Sequence, residues 1–233
     1  MTPPDPPYRR DDAAPIPTTV LVGPAAELRL QQLGLRVDAL RRPLESGYSH
    51  AADCTANDPR GTAGYLVWAK GTGDLRDRLA PLGWQAMREE NFETTIHPEL
   101  THQIALSAGT SQTGVATGPP PRTLRPRGTM TSRAVRRNRP PTLEQGTGVF
   151  SGPGVQGPPE PTTDPLTYFL LHRFNEEAEE MQSELSLPDD MEGKHITHWS
   201  ERIILPSFPF DDGIAIPVDP EENIDVQVRR RAS

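Results

Sequence analysis

Seven arginines without an accompanying acid are the residues in this chain best suited to bind a ligand. They lie between Pro119 and Pro141, in a stretch that contains no aromatic residue. Guanidinium groups form bidentate hydrogen bonds with phosphates and carboxylates, and on a flexible chain they can adapt to an acidic surface. We therefore expect the partner of this segment to be nucleic acid or an acidic protein surface. The predicted binding residues are Arg122, Arg125, Arg127, Arg133, Arg136, Arg137 and Arg139.

The composition of the whole chain offers a second interpretation of these arginines. Only two lysines, Lys70 and Lys194, stand against twenty-two arginines, which is typical of coding bias in a GC-rich bacterium. The formal net charge is −8, which argues against a protein that simply coats DNA. The alternative is therefore a solvated linker, or a segment that folds against the acidic runs of its own chain.

Two histidines form an H-x-x-H pattern, which on a helix could place two imidazoles near one metal ion. His195 and His198 lie instead in a predicted strand, where odd and even residues point to opposite faces. No cysteine cluster accompanies them, so they remain weak candidates and we predict no metal site. Gly71-Thr72-Gly73-Asp74 lacks the spacing of a phosphate-binding loop and is predicted to be a turn, and we expect no cofactor.

An enzyme would need a nucleophile or a general base, and a few isolated residues could supply one. Cys54 could act as a nucleophile with a histidine such as His50, if folding brings the two side chains together. His97 and His102 flank a predicted turn and could face each other. No G-x-S-x-G motif is present. An enzyme whose site combines histidine and cysteine residues from both halves of the chain is therefore an alternative rather than the expected function.

The residues before Gly109 show the periodicity of helices and strands. Apolar residues spaced by three and four from Ala26 to Leu44 predict one amphipathic helix, weakened at Gly34 and ended near Pro43. Residues 64–70 are apolar on both faces, which predicts a buried strand. The remaining predicted elements of this half are a short helix at 75–82 and strands at 84–97 and 102–108.

The residues after Pro165 predict strands alone, and the middle of the chain predicts neither strands nor helices. Apolar patterning predicts strands at 167–174, 181–187 and 195–205. From Gly109 to Pro165 there are eleven prolines and nine glycines, too little apolar surface to offset the entropy of ordering the chain.

These elements predict an α+β fold with a small mixed or antiparallel sheet of about six strands and two helices. A long Pro/Gly/Arg-rich irregular segment interrupts the domain, and disordered chain termini flank it. We expect both halves to share one core, because three strands alone bury too little surface. Two separate small domains are the alternative. The predicted boundaries are 1–22 (disordered), 23–108 (first half), 109–166 (irregular segment), 167–208 (second half) and 209–233 (acidic tail ending in arginines).

The expected function is that of a non-enzymatic accessory protein, of the kind carried by mobile elements. No apolar run reaches the eighteen residues of a membrane span, and residues 1–17 lack the apolar region of a secretory signal. One cysteine cannot form an internal disulfide, so we expect a soluble cytoplasmic protein that does not contact membranes. A structural subunit that assembles through the helix at 26–44 is a further alternative.

Overall fold

The protein folds into a mixed β-sheet that has helices packed on both faces. The structure is a computed structural model that describes residues 17–99, 101–139 and 164–209. Within these ranges the chain forms eight strands, four α-helices and a 3-10 turn at Ala80–Leu82. The helices are α1 (Gly23–Gln32), α2 (Val37–Ala52), α3 (Thr62–Leu79) and α4 (Thr129–Arg137). The strands are β1 (Thr19–Leu21), β2 (Gln85–Glu89), β3 (Phe92–Ile96), β4 (His102–Ala108), β5 (Leu166–Asn175), β6 (Glu180–Glu192), β7 (His195–Ile204) and β8 (Phe208–Pro209).

The two halves of the sequence meet in the middle of this sheet. The strand order is β1-β7-β6-β5-β4-β3-β2, with β8 beside β6. β4 runs parallel to β5, from the pair His102–Leu166 to the pair Ala108–His172, and β1 runs parallel to β7. β5 is buried on both faces: Tyr168 packs toward α1–α3, and Phe169 packs toward the other side. The α+β class and the mixed sheet are therefore confirmed, with eight strands and four helices in the described residues instead of about six and two.

The C-terminal half of β4 has an edge that β3 does not cover. β3 pairs with β4 only at Ile104 and Gln103. Residues 121–127, which we call the arm, approach this edge instead. The Leu124 amide donates to the Ala108 carbonyl (3.0 Å), and Thr123 forms an antiparallel bridge with Gly109. A space remains between the arm, the end of β4 and the helices.

Glycines allow α2 and α3 to pack closely beside the sheet. A Cβ atom at Gly47 would lie 2.6 Å from the Val67 carbonyl oxygen, and one at Gly71 would lie 3.2 Å from the Pro43 carbonyl oxygen. Neither position leaves room for a side chain. The contact fixes the start of α3 and the loop before it relative to the sheet.

The opposite face of the sheet is covered by the arm, by α4 and by the loop that follows β4. Trp199 is fully buried and donates its indole N–H to the Pro121 carbonyl (2.7 Å). Arg202 and Glu184 form a buried ion pair at 2.6 Å, and Arg202 also donates to the Val115 carbonyl (3.0 Å). These bonds fasten the residues after β4 to the sheet.

Several predicted elements differ in the structure. The helix expected at 26–44 is two helices, because the chain turns at Gly34 (φ +67°), and α2 continues through Pro43 to Ala52. The strand predicted at 64–70 is wrong, since these residues belong to α3. The strand predicted at 84–97 is a hairpin, β2 and β3, that turns at Glu90 and Asn91.

The predicted irregular segment divides into a described part and a part outside the described residues. Residues 109–139 lie against the sheet and include α4, a helix that the proline and glycine content did not predict. A disordered N-terminus was expected at 1–22 and an extended tail at 209–233. Residues 1–16, 140–163 and 210–233 lie outside the described residues, whereas residues 19–21 form β1 beside β7 and Pro209 belongs to β8, so these two ends of the prediction are wrong. In the described ranges, no helix is both long enough and apolar enough to cross a membrane.

Candidate anion-binding pocket

A cavity of about 590 Å³, which we call the pocket, lies at the C-terminal ends of β4 and β5. Its walls are the arm, the loop of residues 53–61 between α2 and α3, and the first turn of α3. This volume lies within the range of cavities that hold small ligands. The packing of α2 on α3 and the pairing of the arm with Gly109 together define its shape.

The charged side chains of the pocket are mainly arginines. Among the described residues, Arg60, Arg125, Arg127 and Arg173 line it together with one carboxylate, that of Asp58. The Asp58 carboxylate accepts hydrogen bonds from the backbone amide (2.7 Å) and the hydroxyl (3.1 Å) of Thr55. The described residues of the lining therefore carry a formal excess of three positive charges, which favours an anion.

Arg127 is the unusual member of this group. Its guanidinium donates to the Ser107 hydroxyl and lies 6.0 Å from the centre of the Phe169 ring. Its Nε is buried and has no acceptor, and no carboxylate of the described residues forms an ion pair with it. Burial lowers the pKa of Arg127 to about 10, so the side chain still carries its charge at neutral pH. A half-buried cation without an ion-pair partner among the described residues is expected to favour an anion that enters the pocket.

The first turn of α3 adds a second source of positive potential. Gly61 takes a left-handed conformation (φ +83°) at the helix start, where no side chain caps the helix and no acid stands in the first turn. Gly61 and Gly64 line the pocket, and a Cβ atom at Gly64 would meet nothing within 4 Å. Amide groups at the start of a helix attract anions.

The wall of the pocket toward the helices holds a buried tyrosine–histidine pair. The Tyr48 hydroxyl lies 2.8 Å from His172 Nδ1. Burial, and then the charge of Arg127, lower the pKa of His172 to about 3, and burial raises the pKa of Tyr48. Both groups are uncharged at neutral pH, so the tyrosine donates and the histidine accepts. The pair supplies polar contacts without a charge.

Aromatic rings complete the lining. Trp68 and Phe174 line the pocket together with Tyr48, and Tyr65, which is exposed, lies 5.7 Å from the Trp68 ring. Trp68 follows Gly64 by four residues, so it lies on the same face of α3, one turn further along. The pocket thus combines a cationic region with an aromatic wall.

The structure separates the seven predicted arginines into three groups. Arg125 and Arg127 line the pocket. Arg137 and Arg139 bind carboxylates of their own chain, at 3.4 Å from Asp164 and 2.7 Å from Asp190. The remaining three are exposed: Arg122 lies on the arm, and Arg133 and Arg136 lie on α4.

The histidines considered for metal binding bond elsewhere. His195 Nδ1 lies 2.7 Å from the Thr123 carbonyl, and His198 Nδ1 lies 2.5 Å from Asp189. Across residues 17–99, 101–139 and 164–209, no group of three or more His, Cys, Asp or Glu side chains is placed to hold a metal ion.

The residues considered for catalysis do not assemble into one site. Cys54 lines the pocket, but burial and the nearby carboxylates of Asp58 and Asp53 raise the pKa of its thiol. His50 bonds to the Ser46 carbonyl of its own helix (2.8 Å). His97 and His102 do face each other, with stacked rings 4.7 Å apart, but neither lines the pocket.

Sequence reasoning did not find Ser107, His172, Tyr48 or Trp68. Tyr48 and His172 are separated by 124 residues. No local sequence motif connects these two residues. Trp68 lies in residues 64–70, which were predicted to be a strand. One feature of the sequence could have indicated the pocket: Gly61 ends a predicted turn and precedes the apolar residues 64–70.

Comparison of the chain with models of protein families, with curated proteins and with solved structures finds no match. The pocket is therefore interpreted from its own geometry and chemistry.

Proposed function

We propose that this protein is a binding protein that recognises an anionic group of an acidic partner in the pocket. The observation that carries the proposal is Arg127, a half-buried guanidinium on the pocket wall that forms no ion pair with a carboxylate of the described residues. Arg125 and the start of α3 direct further positive potential to the same cavity. A phosphate or a carboxylate would supply the opposite charge that Arg127 lacks among the described residues.

The proposal assigns partner contact to fewer arginines than the seven that the sequence predicted. Arg137 and Arg139 pair with carboxylates of the chain, whereas Arg127 pairs with none among the described residues, so we assign partner contact to Arg127, with Arg125 beside it in the pocket lining. The exposed Arg122, Arg133 and Arg136 would add attraction that salt screens, whereas the contact at the half-buried Arg127 would be screened less.

Calorimetric titration with inorganic pyrophosphate tests this proposal. Arg127→Gln removes the charge, and we expect it to weaken binding at least about tenfold, because one charge-assisted hydrogen bond contributes about 1.5–3 kcal/mol. Arg133→Gln is the matched control, since Arg133 is exposed on α4 and its recorded polar contact is with Met130 Sδ. Equal losses in both variants, or no pyrophosphate binding by the unaltered protein, would reject the pocket as an anion site.

A further inference from the structure

The pocket has a second feature that a simple anion site does not need, namely its aromatic wall. Trp68 is half-buried and presents part of its ring system to the cavity, beside Tyr48 and Phe174. The open position at Gly64 lies between this ring and the start of α3. A ligand that used the whole pocket would therefore have one anionic end and one flat, apolar end.

The spacing along α3 indicates the length of such a ligand. Gly64 and Trp68 are separated by four residues, or about 6 Å along the helix axis. In a nucleotide, a single sugar separates the phosphate from the base, which is a distance of the same order. The cavity volume of about 590 Å³ leaves room for one nucleotide unit.

We propose that the ligand of the pocket is a nucleoside phosphate, with its phosphate at Arg127 and the start of α3 and its base against Trp68. This inference rests on the proposed anion site and adds the identity of the ligand. Aromatic rings contribute to nucleotide binding through stacking on any base, so the pocket would favour nucleotides without strong preference among bases. The phosphate can belong to a free mononucleotide or to the end of a nucleic acid strand, because both present the same groups.

The first experiment compares ligands on the unaltered protein by calorimetry. The probes are inorganic phosphate, adenosine, adenosine 5′-monophosphate, and a tetradeoxyadenylate with and without a 5′-phosphate. We expect the monophosphate to bind at least about tenfold more tightly than either inorganic phosphate or adenosine. A tighter 5′-phosphorylated tetranucleotide would identify a strand end as the source, and a tighter mononucleotide would identify a free nucleotide.

Two variants locate the base within the pocket. Trp68→Leu should weaken the monophosphate about tenfold and inorganic phosphate less than twofold. Gly64→Leu should fill the open space beside Trp68 and weaken the monophosphate at least tenfold. Gly73→Leu is its matched control, because Gly73 lies in the same helix, is exposed and also has no atom within 4 Å of an added Cβ.

The outcomes separate this inference from the proposed function. If inorganic phosphate and pyrophosphate bind through Arg127 but the monophosphate binds no more tightly than phosphate, the anion site stands and the nucleotide assignment is wrong. The assignment is also wrong if Gly64→Leu and Gly73→Leu bind the monophosphate equally well. If no anion binds at all, both the proposed anion site and the nucleotide assignment are wrong.

Discussion

Replacing Arg127 with methionine should make the folded protein more stable while it removes anion binding. The folded state holds this cation in a partly desolvated place, without an opposite charge among the described residues, and burial lowers its pKa from 12.5 to about 10. That shift corresponds to at most about 3.4 kcal/mol, and the partial exposure of the side chain reduces this figure. Methionine is unbranched, has a similar volume and carries no charge, so it should remove the cost without leaving a large cavity.

The substitution also removes favourable contacts, which sets the net effect. The hydrogen bond to Ser107 contributes about 1 kcal/mol, and the guanidinium near the Phe169 ring contributes about 0.5 kcal/mol. We therefore expect a net gain of about 1–2 kcal/mol in the free energy of unfolding. For a chain of this size, the melting temperature should rise by about 2–8 °C.

Urea unfolding at pH 7 without added anions measures this effect, and Arg202→Met provides the contrast. Arg202 is also buried, but it pairs with Glu184 at 2.6 Å, and removing it leaves that carboxylate buried and unpaired. This variant should lose about 3–5 kcal/mol. If Arg127→Met is instead destabilised by 1 kcal/mol or more, the charge of Arg127 is compensated within the fold and the reasoning behind the anion site is refuted.

Two further predictions concern acid stability and the packing of helices. The pKa values of His102 and His172 are lowered, mainly by burial, to about 4 and about 3, so below pH 6.5 the unfolded chain binds protons that the folded chain does not. The contribution of these two histidines to stability should therefore be fully present above pH 6.5 and be lost as the pH falls from 6.5 to about 4 for His102 and to about 3 for His172. A constant urea midpoint from pH 7 to 5 would contradict this expectation. Gly47→Ala should cost about 1–3 kcal/mol because its Cβ would lie 2.6 Å from the Val67 carbonyl oxygen, whereas Gly73→Ala should gain about 0.5–1 kcal/mol through helix propensity. Equal effects of the two alanines in thermal unfolding would show that α2 does not pack closely on α3.

The strands were easier to predict than the helices, for a physical reason. β4, β5 and β7 have apolar residues on the faces that become buried, and their predicted positions agree with the structure within a few residues. The start of α3 was mistaken for a strand because Tyr65, Val67 and Trp68 favour strands and glycines follow them. Tertiary packing favours the helix instead, because one helical face carries a buried stripe made of Ala63, Val67, Leu75 and Leu79. Gly71 allows the close approach to α2.

The pocket could be predicted only in part. The arginines are visible in the sequence, but which of them enter a cavity depends on how the arm pairs with the end of β4. Arg125 and Arg127 resemble Arg137 and Arg139 in sequence, and only the fold shows that the first two line the pocket and that the last two bind Asp164 and Asp190. The aromatic wall and the pair of Tyr48 with His172 bring together distant residues that no local pattern connects.

A crystal structure of the protein soaked in selenate tests the anion site most directly, because the anomalous signal of selenium reports the position of the anion. We expect an anomalous selenium peak within hydrogen-bonding distance of the Arg127 guanidinium, and we expect this peak to be absent in Arg127→Gln. Selenate bound only at the exposed arginines of α4, with none beside Arg127, would contradict the assignment of this pocket.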